Sequence, residues 1–191
     1  MEDLFKVSIY KKELVVSNQD DFLKKLHEES KVKGRHLSNT TGYQSNDLDL
    51  NDEIYKSFLD GVLDQAKKYA KDLEIDSNLS VSNFWLNINN FKDSNSPHCH
   101  PGSIFSGVYY IKVPNNSGNL VFQNTALSYL DLFWPDQIIK NYNNYTSSQF
   151  ELVPAINNLI IFPSWLQHYV KPNLNQESRI SISFNLEIKN G

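Results

Sequence analysis

His98 and His100 stand two residues apart in Ser96-Pro97-His98-Cys99-His100-Pro101. On an extended backbone, side chains at i and i+2 leave the same face, so both imidazoles can converge on one point. Neutral imidazole nitrogen is a ligand for iron, zinc or copper. The flanking prolines stiffen the chain and lower the entropy lost when the ligands are fixed. Taken alone, such a pair is more often a surface or hydrogen-bonded feature than a metal site. Cys99, between them, should point away and is not counted as a ligand.

A third histidine changes the weight. The apolar run Leu159-Ile160-Ile161-Phe162 leads through Pro163-Ser164-Trp165 to His168, where a ligand can meet the first two. Three protein ligands leave positions open on a metal, which catalysis requires. Eleven residues on, Arg179 opens the segment Arg179-Ile180-Ser181-Ile182-Ser183-Phe184-Asn185. Alternation puts Arg179, Ser181, Ser183 and Asn185 on one face and Ile180, Ile182 and Phe184 on the other. If the apolar face is the one between sheets, the polar face is simply solvated. If the polar face points into a barrel, it offers a fixed cation beside hydroxyls, suited to gripping a carboxylate. Alternation alone leaves both open.

The ordered series of these motifs resembles the iron(II)/2-oxoglutarate-dependent oxygenase superfamily. It comprises His98-x-His100, Ser106-Gly107-Val108-Tyr109-Tyr110-Ile111, Ser117-Gly118-Asn119-Leu120-Val121-Phe122, Phe162-Pro163-Ser164-Trp165-x-x-His168 and Arg179-x-Ser181. The sequence is most similar to a branch from marine bacteria and their phages, which Ser38-Asn39-Thr40-Thr41-Gly42-Tyr43-Gln44-Ser45 also resembles. The likeness runs over roughly residues 34–187. It implies a double-stranded β-helix, or jelly-roll, with N-terminal helices on its outer face. It implies Fe(II) bound by His98, His100 and His168, and 2-oxoglutarate held through its far carboxylate by Arg179 with Ser181. The implied reaction is hydroxylation of an organic substrate, a small molecule or a peptide side chain, with succinate and CO2 as coproducts.

One departure stands out. Most of the superfamily carries Asp or Glu where this chain has His100, and the usual set of two histidines and one carboxylate gives the metal a negative charge that three histidines do not. Either all three rings bind, or one of His98 and His100 has another role; Asp93, five residues before His98, falls in a loop. Beyond the ligands no catalytic side chain is assigned. Asn87 and Tyr109 complete the cofactor-binding candidates, although Tyr109 and Tyr110 face opposite ways and alternation does not say which looks inward. A zinc enzyme that activates water with the same three histidines is the rival reading, and it leaves Arg179 and Ser181 without a role. A non-catalytic jelly-roll binding module is the other.

The elements that must position these residues fall into two regions of one domain. Residues 1–75 form a support region: a strand within 4–16, a helix from Asp20 to about Lys33, a loop over 34–50 and a long helix from about Asn51 to Leu73. In that helix Ile54, Phe58, Val62, Ala66, Tyr69 and Leu73 recur every three or four residues, a single apolar stripe. Residues 76–191 form the jelly-roll core. There Val81–Ile88, Ile104–Val113, Asn119–Gln123, Leu159–Phe162, His168–Lys171 and Arg179–Ile188 are short, β-branched and aromatic, and are separated by turn residues. Residues 124–150 form an aromatic-flecked insertion (Tyr129, Phe133, Trp134, Tyr142, Tyr145), long enough to be a substrate lid.

Composition narrows the rest. The 191 residues and 40% hydrophobic content suit one globular domain. A formal net charge of −4 gives no footprint for nucleic acid or an anionic membrane. The lone Cys99 permits no intrachain disulfide, the start Met1-Glu2-Asp3 is acidic, and no run is long enough to span a membrane. These features suggest a cytoplasmic protein, of a bacterium or a phage-infected host. Four Asn-x-Ser/Thr triplets, at Asn39, Asn78, Asn115 and Asn144, are what chance supplies in so Asn-rich a chain. Oligomeric state is left open.

Overall fold

The computed structural model describes residues 2, 4–75 and 78–189. Most of the acidic start Met1-Glu2-Asp3 and the boundary at residues 76 and 77 therefore lie outside the described residues.

Among the described residues, ten strands form two antiparallel sheets. The elements run β1 (Tyr10–Glu13), α1 (Gln19–Glu29), β2 (Tyr43–Gln44), α2 (Glu53–Asp72), β3 (Leu79–Asn89), β4 (Asn95–His98) and β5 (Phe105–Lys112). They continue with β6 (Leu120–Gln123), α3 (Leu127–Phe133), β7 (Gln149–Leu152), β8 (Asn158–Pro163), β9 (His168–Val170) and β10 (Arg179–Ile188). The larger sheet has the order β1-β8-β5-β10-β3-β2, the smaller β4-β9-β6-β7. This is the mainly β, jelly-roll architecture that the family resemblance implies.

The N-terminal region contributes two edge strands as well as helices, since β1 pairs β8 and β2 pairs β3. Helix α2 starts where the Asp52 side chain accepts the Ile54 N–H at 3.0 Å, satisfying one donor that the first turn leaves free. Its buried stripe of Tyr55, Phe58, Val62 and Ala66 packs with Phe22 of α1 against Phe84, Tyr109, Ile182 and Phe184 of the larger sheet. The Phe58 ring lies 5.4 Å from Tyr109 and 6.4 Å from Phe184. On the opposite face, toward the smaller sheet, Val108, Tyr110, Ile160 and Phe162 pack with Leu120, Phe122 and Leu152.

Several elements differ from the sequence-based expectation: α1 ends at Glu29 rather than near Lys33, and β4 is not among the expected strands. The N-terminal strand is confined to Tyr10–Glu13, because only there does the segment lie along β8. The 34–50 loop contains β2, two residues placed by their partners on β3 rather than by any local pattern. The insertion ends at residue 148: Gln149 and Phe150 belong to β7, paired opposite Gln123 and Phe122 of β6.

Candidate metal centre

The smaller sheet brings the three histidines together. His98, the last residue of β4, stands directly opposite His168, the first residue of β9. His100 lies just past β4, tied down by its N–H donating to the Ser164 carbonyl at 2.9 Å. Ring centroids are 4.4 Å apart for His98 and His168, 5.0 Å for His98 and His100, and 5.2 Å for His100 and His168. One ligating nitrogen from each ring lies within 4.8 Å of the other two. Phe122 and Phe162 wall the buried side of His168, with ring centroids 6.2 and 4.6 Å away.

Backbone carbonyls set two of the three tautomers. His98 Nδ1 sits 2.7 Å from the Ser96 carbonyl and His168 Nδ1 2.9 Å from that of Leu166. A carbonyl only accepts, so each Nδ1 carries the hydrogen and each Nε2 keeps its lone pair for a cation. Burial keeps the rings neutral: desolvation, then the neighbouring His98, push His100 down to about 4 and His168 to about 3. His98 is lowered by the same desolvation. His100 Nε2 lies 3.3 Å from His168 Nε2, a short approach of two groups that a shared proton or a metal ion would bridge. Three neutral imidazoles fit a first-row divalent metal. Asp93 is not among them: its Oδ2 accepts the Asn90 N–H at 2.7 Å and closes a turn.

Arg179 lies in the same cavity, opposite Asn89 across β10 and β3, and only 2% of it is exposed. Its Nη1 donates to the carbonyls of Ser117 and Gly118 at 2.8 and 3.0 Å. Its Nε is buried without a partner, and no carboxylate among the described residues pairs with it. Burial lowers its pKa, with Tyr110 acting in the other direction. A buried, unpaired cation is costly unless a ligand neutralises it. The turn that serves it depends on Gly118, whose φ is +90° and where a Cβ would come within 2.1 Å of the Lys171 carbonyl oxygen.

Ser181 and Asn87 line the cavity with Arg179, and Asn87 Nδ2 donates to Ser183 Oγ at 3.0 Å. The polar face of β10 therefore looks inward, between the sheets. Tyr109 is a correction: its ring packs on Phe58 of α2, and its hydroxyl donates toward Leu14 O and Asn157 Oδ1. Tyr110 is the tyrosine that lines the cavity, its hydroxyl pushed up to about 12 by burial. It pairs directly with Ser181 of β10, and the two share the face turned to the cavity, which alternation within one strand does not reveal. Asn89 and Asn95, which the sequence did not single out, line the same wall beside Ser38, the first residue of the 38–45 segment. In so Asn-rich a chain no local signal separates them from ordinary turn residues.

Several solved structures share this fold. The chain superposes on SnoN, the non-heme α-ketoglutarate-dependent epimerase of nogalamycin biosynthesis, with a TM-score of 0.69 and 12% identity, covering 95% of this chain and 78% of that one. A Pseudomonas putida prolyl-4-hydroxylase gives 0.65 and 12%, covering 96% and 94%. HygX from Streptomyces hygroscopicus, solved with nickel and 2-oxoglutarate, gives 0.62 and 8%, covering 95% and 83%. No curated protein matches the sequence. Residues 83–185, the span from β3 into β10 that carries all three histidines and Arg179, match the family described as "Putative 2OG-Fe(II) oxygenase"; the chain belongs to that family, with Fe(II) and 2-oxoglutarate as its cofactors.

Proposed function

We propose that this oxygenase hydroxylates an organic substrate while 2-oxoglutarate is converted to succinate and CO2. The observation that carries the reading is Arg179, a buried guanidinium with no counter-charge among the described residues, which shares one cavity with three converging imidazoles. A hydrolytic site needs no such cation, whereas a dicarboxylate held at one end by a metal and at the other by an arginine uses both.

His98, His100 and His168 would hold the iron, the Nε2 lone pairs of His98 and His168 being left free for it. Arg179 receives the far carboxylate of 2-oxoglutarate, with the Ser181 and Tyr110 hydroxyls and the Asn87 amide beside it. Iron and 2-oxoglutarate supply the oxidising chemistry when bound. Val108, Leu120 and Phe162 form an apolar wall of the same cavity and keep water from the reacting groups. Residues 124–148 leave the smaller sheet beside the centre, since Phe122 pairs with His168 and the Gln123 N–H donates to Gln167 O at 2.9 Å. Their exposed Tyr129, Phe133, Trp134, Tyr142 and Tyr145 support reading this segment as the substrate lid. The substrate is a small molecule or a peptide side chain, a reading supported by the prolyl-4-hydroxylase and the nogalamycin-biosynthesis epimerase that share the fold. The net charge of −4 speaks against nucleic acid or an anionic membrane as partner. No helix among the described residues is long and apolar enough to cross a membrane. The single, exposed Cys99 suits a reducing compartment, the cytoplasm.

Anaerobic titration with Fe(II) and 2-oxoglutarate tests the reading: a weak visible charge-transfer band is expected, followed by O2-dependent succinate. A folded protein that gives neither sinks it.

A further inference from the structure

The Ser38–Ser45 segment has no part in the chemistry above, yet its first residues touch the strand that carries His98. β4 and β9 lose register between Asn95 and His98: Asn95 stands opposite Val170 and His98 opposite His168, three steps on one strand against two on the other. The extra residue is a bulge, and it falls at Ser96-Pro97, where proline has no N–H to give. Ser96 is also the residue whose carbonyl accepts from His98 Nδ1. The regular ladder is thus broken where the orientation of a metal ligand is decided.

Another piece of chain takes its place. Thr40 N–H donates to Ser94 O at 3.0 Å and Ser96 N–H to Ser38 O at 2.8 Å, with Asn39 bridged to Asn95. Side chains extend the link. Asn95 Nδ2 donates to Ser38 Oγ and Asn89 Nδ2 to Asn95 Oδ1, each at 3.3 Å, joining the smaller sheet to β3 of the larger. Gly42 lets the segment turn back onto β3: its φ is +85°, and a Cβ there would lie 2.8 Å from Asp93 Oδ2.

We propose that residues 38–40 are a positioning element of the metal centre, spanning the β4 bulge, and that Asn95 is the positioning residue that locks Ser96 and so aims His98. The proposal rests on the reading that the three histidines hold the metal. Partners of this kind typically change metal affinity by about tenfold to a hundredfold when removed.

Cobalt(II) serves as the probe, because its visible spectrum reports ligand geometry without turnover. In the full chain, Asn95→Ala and Ser38→Ala are expected to weaken Co(II) binding by about tenfold and to alter the band shape. Asn119→Ala, which removes only an exposed contact to Glu151, should do neither. Asn95→Ser, which keeps a short donor, should recover part of the loss and replaces Asn95→Ala if that variant does not fold. Unfolding of the metal-free variants is followed in parallel. Affinity and spectrum equal to the parent's, whatever happens to thermal stability, would overturn the proposal. A parent chain that binds no Co(II), or binds it as well after His168→Ala, would instead overturn the three-histidine reading on which it stands.

Discussion

The two faces of the six-stranded sheet are built from the same strands and differ in almost everything else. On the helix side, Phe84, Leu86, Ile182 and Phe184 form an aromatic and aliphatic core with α1 and α2. On the other side, their immediate neighbours Trp85, Asn87, Ser181 and Ser183 line a polar cavity that ends in Arg179. Because successive side chains point to opposite faces, one stretch of chain serves both purposes. Stability is concentrated on one face, which frees the other to bury a cation that folding alone would disfavour.

Substitutions can break this contrast. The largest effect is expected at Phe58→Ala, which opens a cavity where α2 meets Phe84, Tyr109 and Phe184. It should cost about 3–5 kcal/mol in urea unfolding, while the folded fraction keeps its affinity for 2-oxoglutarate. Arg179→Met should do the reverse. Loss of a buried charge partner costs about 2–5 kcal/mol of binding, read as weaker 2-oxoglutarate binding by calorimetry. The metal-free chain should unfold no more easily, since an unpaired buried charge has gone.

Acid should act on the cavity face first. His100 and His168 have folded pKa values of about 4 and about 3, below the 6.5 of a free imidazole. Between pH 6.5 and 4 the unfolded chain binds protons that the folded chain refuses, so stability is present above this window and falls as pH drops through it. Between pH 6.5 and 5, before most carboxylates protonate, the metal-free chain should lose about 1–3 kcal/mol. Urea midpoints at the two values check this, and His168→Gln should flatten the dependence. The smallest effects sharpen the comparison within one dipeptide. Tyr109→Phe should cost about 1 kcal/mol of stability and leave 2-oxoglutarate binding alone. Tyr110→Phe should weaken that binding severalfold with stability unchanged.

Much of this was legible in the residues. The stripe from Ile54 to Leu73 marked α2 to within two residues at either end, because apolar positions recurring every three or four residues share one face only on a helix. The spacing of His98 and His100, and the run into His168, marked the candidate ligands. β4 and β2 were not legible: a four-residue strand with a proline and a two-residue strand carry no pattern of their own. The tyrosine pair was not legible for a different reason: strict alternation puts Tyr109 and Tyr110 on opposite faces of β5, and only the helices covering one face decide which looks inward.

By itself the sequence determined which residue types could bind a metal and a carboxylate, and the alternation that separates Arg179 and Ser181 from Ile180 and Ile182. Which face turned inward was decided only by packing. Once α1 and α2 cover the apolar face, the polar one is left between the two sheets, and Arg179 with it. The meeting of His98 with His168, seventy residues apart, was likewise a matter of sheet register, a long-range pairing that no local period encodes.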